Sequence, residues 1–149
     1  KPGVYALDVE DGDLAWSLPV QRGCKFDPAD APLVGLAEMA QGKSGRSPWP
    51  DCSYYYGHSA AAVVANGVVF SGALDGKLRI FDARNGSLLR VIETRRPFQG
   101  SNGVEGHGGA IDVGGAIVSG DQLFVLSGYG MFGQMPGNML LVYGLPAKR

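Results

Sequence analysis

A hairpin that occurs twice, apolar runs punctuated by Asn-Gly and Asp-Gly turns, and 24 glycines in 149 residues together predict an all-β fold. The architecture they point to is a β-propeller segment of about two to three four-stranded blades in an incomplete ring. Glycine at that level is well above the average of about 7%. With 9 prolines and 45% apolar residues, the composition fits many short strands joined by tight turns. The length suits a single domain that buries about two-thirds of its unfolded surface. Thirteen basic residues against 14 acidic ones leave a net charge of -1, which excludes the electrostatic footprint of a nucleic-acid or anionic-lipid binder. No apolar run reaches the roughly 18 residues of a spanning helix.

The elements follow in order. Residues 1–19 read as a partial blade: Val4 to Leu7 is a strand ending at Asp8, Asp11-Gly12 turns the chain, and Leu14 to Trp16 begins the return. The same pattern recurs from Leu78 to Arg90, where Asp82 ends a strand and Asn85-Gly86 makes the turn. Asp-Gly and Asn-Gly supply the positive φ that a hairpin needs. Residues 20–57 are a long loop. Residues 58–93 read as a full blade: Ala60 to Ala65, Val68 to Gly72, the Leu78 strand and its return, joined at Asn66-Gly67, Asp75-Gly76 and Asn85-Gly86. Residues 108–144 read as a further partial blade, with Ala116 to Val118, Leu123 to Gly128 and Leu140 to Tyr143 as its strands. Nearly continuous apolar runs suit sheets buried on both faces, as blades are when they stack.

A propeller closes with about four to eight blades, so the rest of the ring is expected from further sequence or from neighbouring chains. Lys1-Pro2-Gly3 has no initiator Met and no leader, which suits a chain cut from a longer protein or a mature product. The last blade lacks a fourth strand, which places the segment in the C-terminal portion of a ring closed by a strand from the N-terminus.

The hairpin carries a consensus. Ala6, Asp8, Gly12 and Trp16, spaced as they are here, resemble the tryptophan-docking repeat of quinoprotein dehydrogenases. The second copy keeps only Asp82 and Gly86, with Ile80 and Arg90 at the flanking positions. A finer resemblance covers residues 57–144. Gly57-His58-Ser59-Ala60, Asn102-Gly103, Gly108-Gly109-Ala110-Ile111-Asp112, Ser127-Gly128-Tyr129-Gly130 and Pro136 to Leu141 are similar to the polyvinyl alcohol dehydrogenase-like group. That resemblance implies a periplasmic or secreted enzyme that oxidises alcohol groups with pyrroloquinoline quinone (PQQ), holds Ca²⁺ beside it, and passes electrons to cytochrome c. No Cys-x-x-Cys-His occurs here, so any haem lies elsewhere or on a partner. Non-catalytic scaffolds of the cell envelope carry the same repeat, and fold alone does not separate the two. A third possibility is an open β-rich module that completes its ring by oligomerising.

His58 and His107 both follow a glycine, ahead of the first strand of a blade, in loops that enter the central channel from one rim. The functional reading is a funnel lined by His58, Asn102, Glu105, His107 and Asp112, with Gly108 and Gly109 letting backbone approach a ligand. Asp112 and His107 are the candidate catalytic pair, since alcohol oxidation needs a base at the hydroxyl. His58, Asn102, Glu105, Gly108 and Gly109 are the candidate cofactor contacts. The bland reading is that these groups satisfy turn backbone. No metal site is assigned: Asn102, Glu105 and Asp112 are hard oxygen donors of the calcium type, but three scattered oxygens make no site. Two distant histidines make no zinc site either.

Cys24 and Cys52 bracket the Pro-rich loop. A disulfide between them would staple it, worth on the order of 3 to 4 kcal/mol by chain entropy, and agrees with an oxidising compartment; two free thiols is the alternative. Within the loop, Pro32 to Ala40 suits a short helix, and Trp49 and Tyr54-Tyr55-Tyr56 suit packing on the rim. The Gly-rich stretch 128–137 lacks the Lys-Ser/Thr ending of a phosphate loop.

Overall fold

The computed structural model describes residues 2–20, 57–129 and 134–145. Among these residues there is no helix, and every sheet is antiparallel. Strands β1 (Gly3–Leu7) and β2 (Leu14–Pro19) form one hairpin. Strands β3 (Val63–Ala65), β4 (Val68–Gly72), β5 (Lys77–Asp82) and β6 (Leu88–Glu93) form a four-stranded meander. A small hairpin follows, β7 (Pro97–Gln99) with β8 (Glu105–His107), and then a three-stranded sheet of β9 (Ala116–Ser119), β10 (Gln122–Ser127) and β11 (Met139–Gly144). This all-β succession of meanders is the architecture of a propeller segment.

The repeated hairpins have one physical construction. In the first, Gly12 N–H donates to Asp8 O at 3.0 Å, Asp8 N–H to Asp13 O at 2.8 Å, and Glu10 N–H to Asp8 Oδ1 at 2.8 Å. In the second, Gly86 N–H donates to Asp82 O at 2.9 Å, Asp82 N–H to Ser87 O at 2.9 Å, and Arg84 N–H to Asp82 Oδ1 at 2.8 Å. The aspartate caps its own turn, and the glycine four residues on takes φ of 80° or 71°, a conformation L side chains rarely adopt. The loop is therefore wider than a two-residue turn, and both hairpins shift register beside it, at Ala6/Leu7 and Ile80/Phe81.

The two central strands of the four-stranded sheet are packed on both faces, whereas β6 is largely exposed. Alternation along β4 and β5 puts Val69 and Phe81 on one face, where they pack with Val4, Trp16 and Leu18 of the first hairpin. Trp16 Nε1–H donates to Ala83 O at 2.9 Å. Its ring lies over Gly86, where a Cβ would come within 2.7 Å of Trp16 Cε3. Leu78 faces the other way and joins Ala60, Ile111, Ala116, Leu123, Val125 and Leu141 in the core shared with the β9–β11 sheet. The far face of that sheet stays exposed and carries Ile117, Leu126, Leu140 and Val142.

The strand expected from Ala60 to Ala65 is confined to Val63–Ala65. Its first part pairs elsewhere, since Ala61 N–H donates to Val113 O at 3.2 Å. Tyr143 packs against the shared core with its hydroxyl buried and without a hydrogen-bond partner among the described residues. Burial raises its pKa, opposed by the charge of Arg96. Tyr143→Phe removes an unsatisfied polar group and should raise the urea unfolding midpoint, by about 1 kcal/mol in stability.

Candidate functional site

One rim collects the starts of β3, β5, β9 and β11 and the ends of β4, β6 and β10. His58, Ser59 and Asp112 all lie on this rim, each a few residues ahead of the first strand of its sheet. The segment Gly108 to Asp112 crosses between the two sheets and is laced to both. Ile111 N–H donates to Ala73 O at 3.0 Å in the β4–β5 turn, while Ala110 N–H donates to Met135 O at 2.9 Å and Gly128 N–H to Ala110 O at 2.8 Å. Ala110 and Ile111 are fully buried.

Asp112 is the centre of the arrangement. Ser59 Oγ donates to its Oδ1, as does Val113 N–H at 2.7 Å, and Gln134 Nε2 donates to its Oδ2 at 2.9 Å. Ser59 and Gln134 come from different sheets and were not apparent as site residues in the sequence. A carboxylate offers about four lone-pair sites, so one acceptor position remains on Oδ2 after these bonds.

His58 is half-buried, with Nδ1 at 2.7 Å from Ser71 Oγ and its ring 6.4 Å from that of Phe81. Beside it, Arg79 donates to both oxygens of Asp75, at 3.1 and 2.6 Å. Burial, then the Arg79 charge, lowers the His58 pKa to about 4, against smaller opposing effects of Asp75 and the Gly72 backbone. The imidazole is thus neutral at pH 7. Burial of Asp75 acts to raise its pKa, but the bonds and charge of Arg79, with Lys77, hold the carboxyl below its usual range.

The unfolded chain protonates His58 near pH 6.5 and the folded one near 4, so stability falls as pH drops through that window and levels off below it on this group's account. Asp75, whose folded pKa is depressed, adds a loss only as pH falls below its ordinary value. Urea midpoints measured from pH 7 to 4 should decline in the wild type and decline less in His58→Gln.

His107 ends β8 and is held through its backbone: its N–H donates to Asn138 Oδ1 at 3.0 Å, and Asn138 N–H donates to His107 O at 3.0 Å. Asn102 and Glu105 stand exposed on the β7–β8 hairpin. No described hydrogen bond joins either to Asp112. Gly108 and Gly109 do allow a close approach, but protein fills the space. A Cβ on Gly108 would lie 1.9 Å from Thr94 O, and one on Gly109 2.3 Å from Pro136 O. The rim therefore unites Ser59, Asp112 and Gln134, whereas the His58 ring turns to Ser71 and Phe81 on the face that meets the first hairpin, His107 lies beside Asn138, and Asn102 and Glu105 stand on the β7–β8 hairpin. Cys24, Cys52, Trp49, the Pro32–Ala40 segment and the three tyrosines lie outside the described residues.

Among known proteins, the chain is 28% identical to a polyvinylalcohol dehydrogenase of Pseudomonas sp over 158 aligned residues, covering 99% of this chain. It is 27% identical to that of Sphingopyxis sp. (strain 113P3) over 130 residues, covering 87%. The chain is thus similar to two polyvinylalcohol dehydrogenases. It spans 21% and 17% of the lengths of these two relatives. No family model matches it. Among solved structures, a computationally designed protein, Ika8, matches at 19% identity and a TM-score of 0.35, over 57% of this chain and 20% of that one, a likeness too distant to bear on the fold. No group of three or more His, Cys, Asp or Glu able to hold a metal occurs among the described residues. No helix among them is long and apolar enough to cross a membrane.

Proposed function

We propose that this chain forms part of the propeller of a PQQ-dependent alcohol dehydrogenase, periplasmic or secreted, that oxidises alcohol groups and passes electrons to cytochrome c. The similarity to two polyvinylalcohol dehydrogenases along most of the chain is the observation that carries this reading. The exposed apolar face of the β9–β11 sheet supports a further sheet beyond it, from the rest of the ring or a neighbouring chain.

The described residues fit the proton-handling side of such chemistry. Oxidation of an alcohol removes the hydroxyl proton and, from the carbon, a hydrogen with its electron pair; PQQ, when bound, would take up that hydride equivalent. Asp112 keeps an acceptor position on Oδ2 and serves as the base for the hydroxyl proton. Ser59 and Gln134 fix its orientation, and His107 supplies hydrogen bonds at the rim. The same residues do not fit Ca²⁺. Their carboxylates are dispersed, Asp112 is largely satisfied by donors, and Asp75 is committed to Arg79.

A non-catalytic envelope scaffold is the second reading, favoured by the protein backbone that fills the space beside Gly108 and Gly109. Reconstitution of the whole cofactor-free protein with PQQ and Ca²⁺ separates the two. Alcohol-dependent dye reduction that requires PQQ is expected. Absence of both dye reduction and PQQ binding selects the scaffold.

A further inference from the structure

Among the described residues, two that are not glycine carry a positive φ, Asn66 at 51° and Val113 at 54°. Asn66 shares a tight turn with Gly67, where a short polar side chain is at home. Val113 has no such excuse, because a β-branched side chain crowds its own backbone in that region. Packing does not offset the crowding: Val113 is 57% exposed and joins none of the buried clusters. Hydrogen bonds hold it instead. Its N–H donates to Asp112 Oδ1 at 2.7 Å, and its carbonyl accepts Ala61 N–H at 3.2 Å. Gly115 lies against the same stretch of backbone, since a Cβ there would come within 2.2 Å of Ala61 O.

We propose that Val113 is a positioning residue, whose left-handed backbone clasps residues 59–61 to the crossing segment and so keeps Ser59 Oγ on the Asp112 carboxylate. This rests on the reading of Asp112 as the base and adds how that base is aimed. Ahead of Asp112 the chain is already fixed, because Ile111 is buried and bonded to Ala73 O. Reversal at Val113 turns the next carbonyl back onto Ala61, two residues from Ser59, whose hydroxyl donates to Asp112 Oδ1. With Ser59 and the Val113 amide on Oδ1 and Gln134 on Oδ2, the carboxylate cannot rotate without breaking a bond. A glycine at 113 would reach the same φ without crowding but with many more alternatives, whereas a branched side chain narrows the range. Stability and precision are therefore opposed at this residue, as they are where strain is held at a working site.

Val113→Gly and Val113→Ala in the whole protein test this. Val113→Gly should raise the urea unfolding midpoint, because the crowding is relieved. In the protein loaded with PQQ, with poly(vinyl alcohol) as the alcohol, it should lower kcat by about tenfold and leave KM unchanged. Val113→Ala, less crowded than valine and less free than glycine, should fall between the two in both measurements. A raised midpoint with wild-type kcat reduces Val113 to an ordinary turn residue, and a lowered midpoint means there was no crowding to relieve. Either result, or an alanine variant outside that order, overturns the proposal. Hydrogen exchange of residues 59–62, read by mass spectrometry on the cofactor-free protein, does not depend on turnover. Exchange there should quicken in Val113→Gly despite the higher midpoint, and unchanged or slower exchange overturns the clasp. If the wild type oxidises no alcohol, the enzyme reading fails, and the exchange result alone decides whether the clasp stands.

Discussion

Gly108→Ala should destabilise the protein by about 3 kcal/mol or more, the upper end of what overpacking a buried site costs. A methyl group there meets Thr94 O at 1.9 Å and Ser127 Oγ at 2.6 Å. Neither neighbour is free to give. Thr94 N–H and its hydroxyl both donate to Gly76 O, at 2.9 and 2.8 Å, and the hydroxyl also contacts Ser127 Oγ at 2.7 Å. Ser127 Oγ in turn accepts Gly109 N–H at 2.9 Å. Moving any of them breaks a buried bond. Gly114→Ala is the matched control, because nothing lies within 4 Å of a Cβ at that position. Urea unfolding of the two variants side by side checks the prediction, and equal midpoints refute it.

Asp112→Asn should lower kcat for alcohol oxidation by roughly 10²- to 10⁴-fold, the range for loss of a positioned base. The substitution keeps the volume and can keep one oxygen toward Ser59 Oγ and Val113 N–H. The new amide then faces the Gln134 amide, a donor against a donor, unless Gln134 turns over. A moderate loss of stability therefore accompanies the loss of rate, and the two are separable. A structural role alone lowers the unfolding midpoint and leaves kcat of the folded fraction intact. Full activity in folded Asp112→Asn protein would sink the assignment.

Local chemistry made much of this fold legible. Asp8 with Gly12 and Asp82 with Gly86 specify their hairpins within five residues each, and Trp16 of the first hairpin rests on the Gly86 turn of the second. The β7–β8 hairpin left no such mark. Its strands are three residues long, the first begins with a proline, and neither alternates apolar residues. The partners of Asp112 were equally hidden, since Ser59 is 53 residues away and Gln134 22. Only the stacking of two sheets brings them together, and no periodicity in the chain records it. The Gly108-Gly109 pair shows a different limit. Its sequence signals a close approach, but a ligand and a second strand of backbone demand the same absence of a side chain.

The lacing of Ala110 and Ile111 to opposite sheets has a mechanical meaning. Two repeats joined only at their faces could slide or part as separate foldons, but here one short stretch of chain is sewn into both. Opening either sheet at this seam must unfasten the other, so the Ala110 and Ile111 amides should exchange with solvent only when both repeats come undone at once. A nick in the polypeptide there would do more harm than one at any of the outer turns.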